Sequence, residues 1–365
     1  RTKKIMLSFL YFLIALALLI LVHEFGHFLV ARLFDIKVIT FSIGFGKKLL
    51  RFTRGETEYA ISAVPMGGYV KLLGESPDEE VSEEDKPRSF SHKPPYVRIL
   101  VALAGPLFNI LLALFVFYLV SIIGYNVPSA RVGKVADNTP AQAAGIRAGD
   151  TIVRIDGKEV KEFLDIASTI DHAEGDTVEV TLDRAGSPVN LTIKPMTIEE
   201  KDIFGEPYKR RILGIERSDE VIKRRQSATE AVGLALHMTW EYSRITVLGI
   251  VKIIQGSISP RNIGGPVLIF QEASKRAKKG LGDFVFFFAL ISINLGIINL
   301  LQIPVLDGGH ILFNAIEIVI RRKISQKVQE VAQTVGLVIL LMIMVFAFYN
   351  DFDRIFDFGK YFHGK

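Results

Sequence analysis

Four apolar runs, each long enough to cross a bilayer, limit this 365-residue chain to a membrane fold before any motif is read. A spanning helix needs about 20 residues of low polarity. Residues 5–22 are apolar apart from Ser8, and residues 99–123 apart from Asn109, Ser121 and a Gly105-Pro106 pair. Residues 284–306 hold Ser292, Asn294, Asn299 and Gln302, and residues 331–349 carry Gln333 and Thr334 near their start. The first run does not read as a removable signal peptide. It passes straight into Val22-His23-Glu24-Phe25-Gly26-His27 with no small-x-small cleavage site.

Charge gives an expected orientation, because Lys and Arg accumulate in cytoplasmic loops. They crowd between Arg32 and Arg98, and again at Arg321, Arg322, Lys323 and Lys327. Both stretches, including the whole 38–98 loop, are expected on the cytoplasmic side of the membrane. The 126–283 region then lies outside, although Arg1, Lys3 and Lys4 argue weakly the other way.

Between the spans the pattern changes. Residues 38–43, 48–53, 56–63 and 68–72 read as short strands split by Arg54-Gly55 and Pro65-Met66-Gly67-Gly68 turns, a small sheet beside the membrane. Residues 74–88 are acid-rich and read as a mobile loop. Strands are expected at 131–135, 151–156, 177–183 and 189–194, with helices at 141–144 and 163–173. The stretch from Asn138-Thr139-Pro140-Ala141 to Ala148-Gly149-Asp150, followed by Ile152, Ile155, Asp156-Gly157 and Val160, closely resembles a bacterial PDZ domain. Residues 226–256 alternate apolar and charged positions at helical spacing. They suit an amphipathic helix on the membrane or a core helix of the outer domain.

The division that follows is a first span with a histidine motif (1–37), a hairpin region (38–73), a loop (74–98), and a second span (99–125). A PDZ domain (126–196), a linker with an amphipathic helix (197–283), a third span with a further ligand (284–320), and a fourth span with a tail (321–365) complete it. The fold class is a polytopic α-helical membrane protein with four transmembrane helices, a membrane-associated β-sheet and an inserted α+β PDZ domain.

The chain has no cysteine, so a bound metal must rest on imidazole and carboxylate. With a net charge of +5 and no basic stretch interleaved with aromatics, nucleic acid is a poor partner. His23-Glu24-Phe25-Gly26-His27 is a His-Glu-x-x-His string. Positions i and i+4 share a helix face, so both imidazoles can hold one zinc while Glu24 takes a proton from water. A charge near a helix centre in the bilayer costs roughly 2.5–3.5 kcal/mol on insertion scales, so such residues are usually functional. The bland alternative is a polar cap where the helix leaves the membrane. A catalytic zinc needs a third protein ligand and an open position. A histidine six residues after His27 would serve, but Leu33 stands there. Asp307, in Asn299-Leu300-Leu301-Gln302-Ile303-Pro304-Val305-Leu306-Asp307-Gly308-Gly309-His310, is the candidate. Pro304 and Gly308-Gly309 would interrupt a helix there. Alone, Asp307 could equally cap the helix that follows.

These motifs, with Gly68-Tyr69-Val70-Lys71, Phe90, Lys93, Arg98, Ala104-Gly105-Pro106-Leu107-Phe108-Asn109 and Gly264-Gly265-Pro266-Val267, resemble the site-2 protease family of intramembrane metalloproteases, of the bacterial regulator-of-sigma-E type. The resemblance runs over nearly the whole chain. It implies that His23, His27 and Asp307 bind Zn2+ and that Glu24 activates water. It implies substrate contacts for Asn299, whose alternative is helix-helix glue, and for Tyr69, whose alternative is an interfacial packing aromatic. It also implies a hairpin that pairs with an unwound substrate strand. His310 reads as supporting the site, and His92, His172 and His237 as bland. Two departures stand out: Gln302 where a proline is common, and one PDZ copy where many members have two. The implied partners are the lipid bilayer and pre-cleaved single-span membrane proteins, such as an anti-sigma factor or remnant signal peptides. A non-catalytic PDZ-bearing scaffold with a structural metal, and a transporter, are the competing classes.

Overall fold

A computed structural model describes residues 2–75 and 79–356. Arg1, residues 76–78 near the start of the acid-rich loop and the tail beyond Phe356 lie outside the described residues. Four helices are long and apolar enough to cross a membrane: Leu10–Leu33, Pro95–Ile123, Leu281–Asn299 and Gln326–Phe356. They lie within α1 (Thr2–Leu33), α2 (Pro95–Ile123), α7 (Leu281–Asn299) and α9 (Gln326–Phe356). The chain folds as two units, Ser121–Glu230 and the remainder.

In the larger unit, α1 does not stop at the end of its apolar run but carries His23 and His27 onward inside one continuous helix. Glycines let α1, α2 and α7 close up. A Cβ on Gly26 would lie 2.5 Å from the Ala104 carbonyl oxygen, and one on Gly296 would lie 2.8 Å from that of Pro106. Small residues at such crossings replace the hydrophobic drive that a lipid solvent cannot supply.

The expected short strands are two long bent ones, β1 (Val38–Arg54) and β2 (Thr57–Leu72). Each is used twice. The stretch 38–43 has 68–72 on one side, with Phe41 opposite Val70, and 58–61 on the other, with Phe41 opposite Tyr59. The tip, 48–54, pairs back on 57–62. Residues 68–72 are left as one edge of this sheet. Its base is buried with α1 and α2 through Ile36, Val38, Phe41, Val97 and Val101.

The third span ends at Asn299, short of the 306 expected from hydropathy. A new helix, α8 (Asp307–Ile320), starts after the Pro304 turn. Gly308 and Gly309 therefore open a helix and do not interrupt one. A Cβ on Gly308 would sit 2.2 Å from the Leu301 carbonyl oxygen, and one on Gly309 2.5 Å from that of Ile303, so only glycine lets α8 start this close to the preceding turn. α8 is anchored by the buried Arg98–Glu317 ion pair, and Glu317 also accepts the Ile324 amide at 3.0 Å.

α5 (Ala228–Ile254) replaces the ambiguous 226–256 segment, and α6 (Pro266–Lys279) lies in what was read as linker. α5 packs on the spans: Ala235 is buried with Phe117 and Ile293, and the Thr246 hydroxyl donates to Asn294 at 2.7 Å. α6 receives its N-terminal cap from another helix. Buried Asp351 of α9 accepts the amides of Gly265, Val267 and Leu268 at 2.9–3.1 Å.

The smaller unit contains β3 (Tyr125–Pro128), β4 (Val132–Val135), α3 (Pro140–Ala143), β5 (Thr151–Ile155), β6 (Lys158–Glu159), α4 (Phe163–Asp171), β7 (Val178–Arg184) and β8 (Ser187–Ile193). Of these, β4, α3, β5, α4, β7 and β8 fall close to the expected positions, while β3 and β6 were not expected. Four more strands lie in the segment read as linker: β9 (Met196–Lys201), β10 (Pro207–Ile212), β11 (Ile215–Arg217) and β12 (Val221–Arg224). β11 pairs with β4 and β12 with β3, so 197–224 closes this unit and the linker begins later. Ile152, Ile155, Val178 and Leu182 are fully buried in its core.

Asp150 is buried in this unit and accepts two bonds from Arg184, at 2.8 and 2.9 Å, plus the Arg147 amide. The Arg184 guanidinium holds its carboxyl below the usual range. A depressed acid stabilises the fold above its unfolded value and loses that contribution as pH falls through the folded one. Asp150→Asn should therefore lower protection of this unit against proteolysis at pH 7. The gap from wild type should close below pH of about 4. A gap unchanged across that range contradicts the assignment.

Candidate active site

Two helices bring the candidate ligands together. His23 and His27 project from one face of α1, and Asp307 opens α8, where a carboxylate suits the positive helix end. His23 Nε2 lies 3.2 Å from one Asp307 oxygen, and His27 Nε2 lies 3.4 Å from the other. The two Nε2 atoms are 3.3 Å apart. In a tetrahedral zinc site with bonds near 2.05 Å, neighbouring ligand atoms sit about 3.3 Å from one another. The donor set fits zinc in spacing and in chemistry. Among the described residues this is the one group of three or more such side chains placed to hold a metal.

α2 supplies the floor. The Val101 carbonyl faces His27 Nδ1 at 2.7 Å, which keeps the proton on Nδ1 and leaves Nε2 free to bind. Gly105 lies under both rings. A Cβ there would be 2.3 Å from His27 Nε2 and 2.8 Å from His23 Cε1.

A cavity of about 290 Å³ opens beside the ligands, lined by Glu24, Gly68, Tyr69, Val70, Glu75, Asn299 and His310 among others. Glu24 accepts the backbone amide of Val70. Glu75 accepts that of Leu72 at 3.1 Å. Val70 and Leu72 thus turn alternate amides away from β1, along the free sheet edge that faces the cavity. Burial pushes the Glu75 carboxyl up. Asn299 reaches in from the end of α7, its Nδ2 3.3 Å from His23 Nε2. The Tyr69 ring stacks on Phe45 at 6.2 Å.

Every residue singled out in the sequence therefore lies at this cavity: His23, Glu24, His27, Tyr69, Asn299 and Asp307. His310 lines it as well. His172 instead faces the Ser168 carbonyl at 2.8 Å, and His92 faces Ser89. Four participants went unassigned. Val101 acts through its backbone and leaves no trace in a sequence. Glu75 sits in an acid-rich stretch that reads as solvated. Gly105 and Asn109 belong to a motif that carried the resemblance but no role.

The description "Peptidase family M50" matches residues 11–343. The chain belongs to peptidase family M50. It is a membrane metalloprotease of the site-2 protease kind. A provisionally named zinc metalloprotease of Campylobacter jejuni is 36% identical, over 96% of this chain and 94% of that one. Another from Mesorhizobium japonicum is 36% identical, over 93% and 97%. The regulator of sigma-E protease RseP of Escherichia coli is 32% identical, over 96% and 100%. Among solved structures, the PDZ domain of an SdrC-like protein from Listeria monocytogenes is 30% identical. It covers 25% of this chain and 90% of that one, with a TM-score of 0.20.

Gly105→Ala should strip metal while leaving the helices folded, because the added methyl occupies the space between the two imidazoles. Zinc content of the purified variant, against its circular dichroism, checks this; full zinc occupancy contradicts the packing described.

Proposed function

We propose that this metalloprotease of family M50 is an intramembrane zinc endopeptidase that cuts within the transmembrane segment of single-span membrane proteins. His23, His27 and Asp307 hold the zinc and Glu24 is the general base. The observation that carries the reading is the near-tetrahedral spacing of three ligand atoms beside a carboxylate, on helices apolar enough to cross a bilayer. Bound zinc supplies a Lewis acid toward the scissile carbonyl and lowers the pKa of water. Glu24, held by the Val70 amide, takes the proton of the attacking water and returns it to the leaving amine. Asn299 Nδ2 donates to the carbonyl oxygen as that atom gains charge.

A substrate helix must unwind before its peptide bond can be reached, which frees backbone groups that lipid cannot satisfy. The sheet edge at 68–72 offers them partners. An extended substrate strand adds there, next to Tyr69, and takes the edge amides now bonded to Glu24 and Glu75. The basic loops support a hairpin on the cytoplasmic side and a PDZ unit outside. There it filters substrates by size or holds a peptide terminus, so that proteins already shortened by another protease are favoured. The substrate class is the one the motif resemblance implies, an anti-sigma factor or remnant signal peptides, and a relative named as a regulator of sigma-E protease accords with the first. A structural metal in a scaffold would normally have four protein ligands. Three gather among the described residues, which favours the enzyme.

Glu24→Gln should retain zinc and lower cleavage of a single-span model substrate by about 100-fold or more; undiminished cleavage contradicts the mechanism. Asp307→Asn should lower zinc affinity, and full zinc occupancy in Asp307→Ala would remove Asp307 from the ligand set.

A further inference from the structure

Asn109 is fully buried in the middle of α2, in an otherwise apolar stretch. A polar side chain at such a position is costly unless it is engaged. Its Nδ2 lies 3.2 Å from Nδ1 of His23, the ring nitrogen turned away from the ligand cluster. Its Oδ1 is buried with no partner. With Nδ2 donating, His23 would carry its proton on Nε2, aimed into the other two ligands, and could not bind a metal. The amide can turn without breaking any other side-chain bond, because nothing holds Oδ1. Turned, Oδ1 accepts from Nδ1–H, and Nε2 presents its lone pair beside that of His27.

The arrangement then repeats. Val101 and Asn109 stand two turns apart on α2, with Gly105 midway. The Val101 carbonyl fixes His27, the Asn109 amide fixes His23, and Gly105 leaves room for both rings. Ser292 of α7 locks this turn by donating to the Asn109 backbone carbonyl at 2.7 Å. We propose that Asn109 is a positioning residue that sets the metal-binding tautomer of His23, so that α2 carries a supporting shell for the metal while contributing no ligand. The proposal rests on His23 being a ligand.

The test uses the full-length protein in detergent, with zinc affinity measured by competition against a chelating fluorophore. Asn109→Leu, near-isosteric but without an acceptor, should weaken zinc binding by roughly 10- to 100-fold. Asn109→Asp, which keeps an oxygen toward Nδ1, should restore affinity to near wild type; a purely packing role would not make this distinction. Equal affinity in a folded Asn109→Leu protein overturns the proposal. If Asn109→Leu does not fold, ring-nitrogen NMR of zinc-loaded wild type labelled at histidine decides. A proton on His23 Nδ1 is expected, and a proton on Nε2 overturns the proposal. His23→Gln separates the two layers. Unchanged affinity there removes His23 from the ligand set, whereas lost affinity there with none lost in Asn109→Leu removes Asn109 alone.

Discussion

A carboxylate and two imidazoles cannot be left unsatisfied among membrane helices, and this constraint organises the larger unit. Each proposed ligand finds its charge or lone pair answered by another: His23 and His27 face the two oxygens of Asp307, and their outer nitrogens face groups on α2. That convergence requires α1, α2 and α7 to approach within backbone contact. Gly26, Gly105 and Gly296 are the positions that allow it. The same constraint explains the break after Asn299. A straight α7 would carry residue 307 past the ligands, whereas the Pro304 turn restarts the chain as α8 with Asp307 in its first turn.

The hairpin answers a second shortage. Chemistry on a membrane helix needs an extended substrate, and an extended backbone needs hydrogen-bond partners. The free edge at 68–72 lies against the cavity beside His23 and His27 and offers them, with Val70 and Leu72 donating to Glu24 and Glu75. In the proposed mechanism, general base and strand edge are thereby linked through one amide. A substrate strand that takes the Val70 amide also changes what Glu24 can do.

Much of this was legible in the sequence, for physical reasons. Apolar runs report spans because lipid admits little else, and the His23-Glu24-x-x-His27 spacing reports a shared helix face. Asp307 was legible as a carboxylate in a place where carboxylates are expensive. Hydropathy misjudged what followed. It cannot separate Leu300 to Leu306, which form a turn, from the helix before them. It also cannot tell that Gly308 and Gly309 serve a close approach at a helix start. The strands at 215–217 and 221–224 were missed because their pairing partners, Val135 and Val127, lie far back in the chain, whereas β9 and β10 pair locally with each other. Asn109 was visible as the one amide within the second span, but its role depends on which His23 nitrogen it faces, and only the fold determines that.

The central claim is that two imidazoles from α1 and one carboxylate from α8 form a three-ligand zinc site with an open position. X-ray absorption at the zinc edge of the full-length protein, carrying Glu24→Gln to arrest turnover, tests it most directly. The account predicts one zinc per chain, two imidazole nitrogens and low-mass oxygen ligands at about 2.0–2.2 Å. A spectrum with one imidazole or none, or a protein that binds no zinc while folded, would contradict it.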